Sequence, residues 1–305
     1  MRVNLRDLPF DTLTDQLAGP GLRLRTGPFV VRICSDLAGV ANGLALHYSE
    51  HAIEPESGFA DFHVSVARPR TFRRWIQPQV AFRFDGRMPF HPLPAEQAFP
   101  VFEWGLNWCV AAHCHQYLTV HAAVMERSGR AVILPAPPGS GKSTLCAGLL
   151  SRGWRLFSDE LTLIEPGSRF ISSLARPVGL KNRSIDVIRD FSPDAVLGPA
   201  VNDTIKGTVA HMKPPVDSVR RADEPARARW IVFPRYEADA AATLNRFPKA
   251  SAFMQLATNS FNYDLHGERG FELLAQVIDE CDCYEFTYSQ LEDACAVFEE
   301  LSRTA

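Results

Sequence analysis

The sequence predicts an α/β protein in two parts, and three observations support this. Residues 1–94 alternate short β-type runs with turn signals, as in "GPFVVRIC" (27–34), which favours a small, mostly β module. Residues 117–166 then pass through strand, turn, strand, loop, helix and strand patterns. In that stretch a glycine-rich segment, "PAPPGSGKST" (135–144), separates a buried strand from a helix. We therefore expect domains at 1–94 and 95–305, the second with parallel strand pairing.

Composition narrows the function classes. The chain has 305 residues, 46% of them hydrophobic and 22% charged, so a packed core is expected. With a net charge of −3 the protein has no overall positive electrostatic field that would attract polyanions, so no nucleic-acid partner is expected. Since no apolar run reaches about 20 residues and the first residues lack a signal-peptide pattern, we expect a cytoplasmic protein without a membrane partner. The seven irregularly spaced cysteines favour reduced thiols.

The other elements follow from local patterns. Apolar residues at helical spacing after Pro94, in "AEQAFPVFEWGLNWCVAAHCHQ", predict a helix with aromatic core residues. "KSTLCAGLLSR" predicts a helix that ends at Gly153. The Pro-, Asp- and Arg-rich residues 190–228 predict a long loop. The C-terminal part predicts a strand, two helices, a strand and a helix, at 228–236, 251–259, 270–282, 283–289 and 289–303.

A cluster of potential metal ligands lies between the two parts. Cys109, His113, Cys114, His115 and His121 fall within thirteen residues. Their spacing fits no zinc ribbon or finger, and no second C-x-x-C pair follows. Packed or surface residues are therefore favoured over a metal site.

The glycine-rich segment matches the phosphate-loop pattern G-x-x-x-x-G-K-[ST] except for Ala136 at the first glycine. Alanine in place of glycine at position 136 costs little conformational free energy if the backbone angles there are ordinary. Gly139 and Gly141 allow the backbone to approach an anion closely, while Lys142 supplies a cation and Ser143 a hydroxyl for magnesium. A chance glycine-rich turn is the alternative, but the strand before and the helix after argue against it. The predicted nucleotide-binding residues are Pro138, Gly139, Ser140, Gly141, Lys142, Ser143 and Thr144.

Two adjacent acids, Asp159 and Glu160, follow the strand after the loop helix. One could orient magnesium together with Ser143, and the other could accept a proton from a substrate hydroxyl. Two solvated acids in a turn are the alternative. The chain contains neither an N-K-x-D guanine-reading motif nor an L-S-G-G-Q-like signature, which disfavours a GTPase or a transporter-type ATPase.

The segment "HAAVMERSGRAVILPAPPGSGKSTLCAGLLSRGWRLFSDELTLI" resembles the core of HPr kinase/phosphorylase. It is most similar to the HPr-kinase-related kinases found beside peptide-modification genes. The resemblance implies a P-loop kinase domain of HPr-kinase (PEP-carboxykinase-like) type at 95–305, with Lys142 on the nucleotide phosphates and Ser143 on magnesium. It also implies that Glu160 stands where the family has its proton acceptor, and that His121 lies near that acid.

The chain departs from the family pattern at three places. Glu160 replaces an aspartate, so Asp159 is an alternative base. The family's G-D-S-G-x-G-K-S loop reads A-P-P-G-S-G-K-S here. Where the family has a further magnesium-binding glutamate, this chain has "GLKNRSID", with Lys181 and Asn182, so reverse phosphorylase activity is not implied.

The predicted function is an ATP- and Mg²⁺-dependent kinase that phosphorylates a Ser/Thr hydroxyl of a small protein or precursor peptide. Arg235 and Arg176 are candidates for phosphate contact, with surface ion pairs as the alternative. Related kinases assemble as hexamers, so both a homo-oligomer and a monomer are open. Two other functions stay open. One is an ATP-binding recruitment module without chemistry, and the other is a small-molecule kinase with 190–228 as its lid.

Overall fold

A computed structural model describes residues 3–69, 78–137 and 139–303, which form three β-sheets and nine α-helices in a mixed α/β arrangement. The strands are β1 (Val3–Asn4), β2 (Leu22–Thr26), β3 (Phe29–Ser35), β4 (Ala52–Ile53), β5 (Phe62–Ala67), β6 (Gln79–Phe84), β7 (Leu93–Pro94), β8 (Leu118–Arg127), β9 (Arg130–Pro135), β10 (Arg155–Ser158), β11 (Leu161–Ile164), β12 (Phe170–Ser172), β13 (Val178–Lys181), β14 (Val201–Thr204), β15 (Gly207–Met212), β16 (Ala226–Tyr236), β17 (Thr243–Arg246) and β18 (Asp282–Tyr288). The helices are α1 (Phe10–Ala18), α2 (Ala38–His47), α3 (Ala98–His113), α4 (Lys142–Ser151), α5 (Arg183–Phe191), α6 (Val216–Arg220), α7 (Lys249–Thr258), α8 (Tyr263–Glu280) and α9 (Leu291–Arg303).

The first sheet has the strand order β1-β4-β2-β3-β5-β6-β7, and α1, α2 and α3 share its core. Helix α3 packs closely against β6 at Gly105. A Cβ atom at this position would lie 2.2 Å from the Phe82 ring, so only glycine fits there. Leu161 and Leu163 of β11 belong to the same core. The domain boundary at 94/95 stays a prediction, but the helix that follows it completes the packing of the first sheet.

The second sheet has the order β10-β8-β11-β12-β16-β18-β17, with β9 between β8 and β16. Alternate residues of β8 point to opposite faces, so Met125 packs with α4 and α9 while Val124 packs with α7 and α8. The predicted parallel pairing is present, since β9 and β18 both run parallel to β16. Strands β9 and β10 do not pair with each other, because both pair antiparallel with β8.

The prediction of a long loop at 190–228 is wrong. Strands β14 and β15 form a hairpin there, and β13 extends it into an antiparallel sheet with Lys181 opposite Val209. The hairpin was hidden because β14 reads "VNDT", which lacks apolar alternation, and because Asp203 adopts a left-handed backbone conformation (φ 55°). The sheet forms one wall of the candidate site described below.

A buried ion pair joins the first sheet's helices to the segment before β13. Arg176 is 5% exposed and donates hydrogen bonds to Glu103 Oε2 (2.7 Å), Asn107 Oδ1 (2.7 Å) and Tyr48 Oη (3.1 Å). Arg176 was a candidate for phosphate contact, with a surface ion pair as the alternative. The structure gives it an ion pair, but a buried one.

The cysteine and histidine cluster found in the sequence takes part in packing. Cys109 and Cys114 lie in the first core, and the His113 ring stacks on Phe84 with ring centroids 4.7 Å apart. All seven cysteines are unpaired. Among the described residues no helix is long and apolar enough to cross a membrane.

Three buried histidines predict a pH-dependent stability. Burial lowers the pKa of His47, His51 and His211 to about 4, so each is neutral in the folded protein at pH 7. In the unfolded chain each binds a proton near pH 6.5, so stability present at neutral pH is lost as the pH falls from 6.5 towards 4. Each histidine contributes up to about 3 kcal/mol to this loss.

Urea unfolding at pH 7.5, 6.0 and 5.0 measures the effect. We expect the free energy of unfolding to fall steadily over this range, and to fall less steeply in His47→Gln. A free energy of unfolding that stays constant between pH 6.5 and 5 would contradict the expectation.

Candidate functional site

The glycine-rich loop connects the end of β9 to the first residue of α4. Gly139 and Gly141 have φ values of 89° and 86°, in the left-handed region that favours glycine. A Cβ atom on Gly141 would lie 2.4 Å from Tyr288 Oη, so the loop also needs glycine for space. Ala136 is buried and is not among the residues with positive φ, which is compatible with alanine. Pro138 lies outside the described residues.

Two neighbouring strand ends anchor the loop. The backbone N–H of Tyr236 in β16 donates to Ser140 O at 2.9 Å, and Tyr288 Oη in β18 donates to Gly141 O at 2.9 Å. These bonds satisfy two carbonyl groups of the loop. The first N–H groups of α4 have no partner within the helix, and they give this end of the helix a partial positive charge.

Lys142 and His121 meet at the start of α4. Lys142 is 8% exposed, and its Nζ lies 3.5 Å from His121 Nε2. The backbone N–H of His121 donates to Asn259 O at 2.8 Å, and the next residue, Ala122, pairs with Pro135 at the start of the loop. Burial and then Lys142 lower the pKa of His121 to about 4. The imidazole is therefore neutral at pH 7 and leaves Lys142 as the charged partner.

Asp159 lies beneath the loop with one oxygen engaged and one without a partner. Its Oδ2 accepts hydrogen bonds from Ser143 Oγ (3.2 Å) and Gly179 N (3.1 Å). Its Oδ1 is buried and has no hydrogen-bond partner among the described residues. Burial raises the pKa of Asp159, while Lys142 opposes that rise. A buried carboxylate oxygen beside a free hydroxyl is suited to a hard divalent cation.

Glu160 points into the cavity and is held by Asn107 of α3. Asn107 Nδ2 donates to Glu160 Oε2 at 2.5 Å, while Asn107 Oδ1 accepts from Arg176. Arginine can only donate, so it fixes the amide orientation and leaves the NH₂ group facing Glu160. Burial favours the neutral form of Glu160, but the three surrounding lysines outweigh it, and the pKa of Glu160 is lowered.

A cavity of about 700 Å³ brings most of the predicted residues together. Its described lining consists of His121, Ala136, Pro137, Gly139, Ser140, Gly141, Lys142, Ser143, Thr144, Glu160, Gly179, Lys181, Asn182, Ser184 and Lys206. Asp159 lies next to it through its bonds to Ser143 and Gly179. Arg235 is not in this lining, since its side chain is 76% exposed and lies 3.6 Å from Glu237.

Several residues of the site were not predicted from the sequence, among them Gly179, Ser184, Lys206 and Asn107. Lys206 lies between β14 and β15 and was hidden by the prediction of a loop there. Asn107 lies in an apolar helix whose aromatic residues were assigned to the core. A signal for Lys206 existed, because the chain has only five lysines and three of them line this cavity.

The comparisons with known proteins cover part of this site. The family model described as SynChlorMet cassette protein ScmC matches residues 104–172. Among solved structures the chain is similar to the Hpr(Ser) kinase/phosphatase from Coxiella burnetii, with a TM-score of 0.26 and 9% identity, covering 61% of this chain and 99% of that chain. No curated protein matches the chain. The family match includes the glycine-rich loop and both acids, and it ends before Lys181 and Lys206.

The loop geometry predicts that Gly141→Ala destabilises the protein more than Gly139→Ala. Both changes put a side chain at positive φ, which costs about 1–3 kcal/mol. Only the Cβ atom at 141 meets other atoms, whereas a Cβ atom at 139 meets nothing within 4 Å. Thermal unfolding of the two variants measures the difference, and equal melting temperatures would contradict this account of the loop.

Proposed function

We propose that the protein is an ATP- and Mg²⁺-dependent kinase that transfers the γ-phosphoryl group to a Ser or Thr hydroxyl of a protein or peptide. One observation carries the proposal. Ser143, which follows Lys142 at the start of α4, is hydrogen-bonded to the buried Asp159, while the adjacent Glu160 faces the same cavity. A nucleotide-binding end and a carboxylate suited to proton transfer therefore meet in one place.

The nucleotide would bind with its phosphates over the loop. The N–H groups at the start of α4 and the charge of Lys142 both favour a polyphosphate there. A cavity of about 700 Å³ lies within the range of about 300–1,000 Å³ typical of small-molecule sites. The neutral His121 beside Lys142 adds no second charge, so the lysine can turn to the β- and γ-phosphates.

Ser143 and Asp159 are the residues that would hold magnesium. The fit rests on Asp159 Oδ1, a buried oxygen without a partner among the described residues, next to the Ser143 hydroxyl. Bound Mg²⁺ neutralises charge on the β- and γ-phosphate oxygens during phosphoryl transfer.

Glu160 is the proposed base, in preference to Asp159. Asp159 is buried beneath the loop and shares Oδ2 with two donors, whereas Glu160 lines the cavity, where an acceptor hydroxyl can reach it. Glu160 accepts the proton of the acceptor hydroxyl as the hydroxyl oxygen bonds to the γ-phosphorus. The bond from that phosphorus to the β,γ-bridging oxygen breaks, and ADP leaves with the electron pair.

Substitution of the three central residues tests these roles. We expect Lys142→Ala to weaken ATP binding at least about tenfold, because a charged hydrogen bond to phosphate is lost. Glu160→Gln should reduce transfer about 100-fold or more while ATP affinity is unchanged, because only the proton acceptor is removed. Asp159→Asn should lose the magnesium dependence of nucleotide binding.

Transfer from γ-labelled ATP to a panel of Ser/Thr peptides and small hydroxyl compounds gives the readout, and Glu237→Gln, an exposed acid, is the control. Full activity in both acid variants would overturn the mechanism. ATP-dependent peptide binding without labelled product would identify a recruitment module, and labelling of small molecules alone would identify a small-molecule kinase.

Asn107→Asp tests how Glu160 is held. The substituted carboxylate keeps an acceptor for Arg176 but presents an oxygen, not an N–H donor, to Glu160. We expect kcat to fall about tenfold or more from repulsion between the two carboxylates, with the dissociation constant of ATP unchanged. Asn245→Asp, on exposed β17, is the control. A loss of ATP affinity that matches the loss of kcat would show that Asn107 supports the fold of the site and not the position of Glu160.

A further inference from the structure

Lysine is used sparingly in this chain, and it is concentrated at one place. Lysines and arginines together number 32, but only five are lysines, at 142, 181, 206, 213 and 249. Lys142, Lys181 and Lys206 line the cavity, and no arginine is found among its described lining residues. The phosphate loop accounts for Lys142 alone. Lys181 and Lys206 come from the β13-β15-β14 sheet on another wall.

The two additional lysines flank the acid pair. Lys206 Nζ lies 5.0 Å from the centre of the Trp104 ring. Trp104 precedes Asn107 by three residues on α3, so the two share a helix face, and Asn107 holds Glu160. Lys206 is therefore on the α3 side of Glu160. A Cβ atom on Gly179 would lie 3.9 Å from Asp159 Oδ2, so this face of β13 looks towards Asp159. Lys181 follows Gly179 by two residues and is therefore on the same face.

Neither lysine has an ion-pair partner in the part of the chain that the structure describes. No carboxylate oxygen lies within 4.0 Å of either Nζ atom there. Both side chains are only partly exposed, and burial lowers the pKa of Lys206. Glu160 attracts both lysines electrostatically but does not contact them, so a ligand anion that bonds to them directly would add a stabilisation that Glu160 does not provide.

We propose that Lys181 and Lys206 form a subsite for an anionic group of the acceptor, a carboxylate or phosphate close to the hydroxyl that is phosphorylated. The inference rests on the proposed kinase function and specifies its substrate class as acidic peptides. Lys181 and Lys206 line the same cavity as Glu160, so an acceptor whose hydroxyl reaches Glu160 there lies close to both lysines. In the proposed function the nucleotide phosphates are bound by the loop and Lys142, on a different wall of the cavity.

Peptides that differ only in the residues flanking one serine test the subsite. The four sets carry aspartate, glutamate, phosphoserine, or asparagine and glutamine at those positions, and transfer is measured at saturating ATP. We expect the acidic or phosphorylated sets to exceed the neutral set at least about tenfold in kcat/KM, through KM, because a charged hydrogen bond is gained. The aspartate and glutamate sets compared with the phosphoserine set distinguish a carboxylate from a phosphate as the recognised group.

Lys206→Met and Lys181→Met should abolish the preference by raising KM for the charged peptides only. Lys213→Met is the matched control, because it removes the same charge just after β15, outside the cavity lining. It should retain the preference. Equal use of charged and neutral peptides by the unaltered protein would overturn the subsite. A second result would also overturn the subsite. If the lysine variants lost affinity for a non-hydrolysable ATP analogue but not for ADP, the lysines would bind the γ-phosphate of the nucleotide and not the acceptor.

Peptide binding separates this inference from the proposed function. Fluorescence anisotropy of labelled charged and neutral peptides, with the non-hydrolysable analogue present, needs no transfer. If the unaltered protein phosphorylates nothing yet binds charged peptides in a Lys206-dependent way, the kinase proposal fails and the anionic subsite holds. If it phosphorylates serine but binds both peptide types equally, the kinase proposal holds and the subsite fails.

Discussion

Arg176 places a positive charge in the interior of the protein, where Glu103 neutralises it and Tyr48 and Asn107 accept its other hydrogen bonds. Removing one partner of such a pair costs about 3–5 kcal/mol, because the remaining charge stays buried. Tyr48 follows α2, Glu103 and Asn107 lie on α3, and Arg176 precedes β13. The Arg176 guanidinium thus connects the helices of the first sheet to β13. Gly179 of that strand donates its N–H to Asp159. The N-terminal part contributes to this network through Tyr48, whose Oη accepts from Arg176 and donates to Glu103.

That constraint also separates the roles of the two adjacent acids. Because Arg176 can only donate, Asn107 must turn its NH₂ group to Glu160, and Glu160 is held as an acceptor facing the cavity. Asp159 receives its donors from the opposite side, from Ser143 and Gly179. The lowered pKa of Glu160 and the raised pKa of Asp159 follow from these different surroundings. Because Glu160 faces the cavity and Asp159 lies beside Ser143, the proposed function assigns different roles to these two neighbours in sequence.

The sequence predicts the parts of the fold and of the site that depend on local pattern. The loop, the helix at Lys142 and the strand ending before Asp159 are each set by a few consecutive residues, and the structure has them as expected. The roles of Asn107 and Arg176 could not be predicted in this way, because they depend on contacts between distant parts of the sequence. Asn107 is 53 residues from Glu160 and 69 residues from Arg176. The hairpin with Lys206 was missed for a different reason: β14 reads "VNDT" and lacks apolar alternation, although Ala210 and Met212 of β15 pack in the core shared with α4.

The charges of the cavity connect these observations to the acceptor. In the proposed reaction Glu160 must be ionised to take a proton, yet an ionised carboxylate repels both the nucleotide phosphates and any acidic acceptor that approaches it. Lys142 offsets that repulsion at the loop, and Lys181 and Lys206 can offset it on the other wall. Lys181 and Lys206 already offset the charge of Glu160, but neither contacts a carboxylate in the described part of the chain. An acceptor with negative charge of its own would give both lysines a direct anionic partner beside the proposed base.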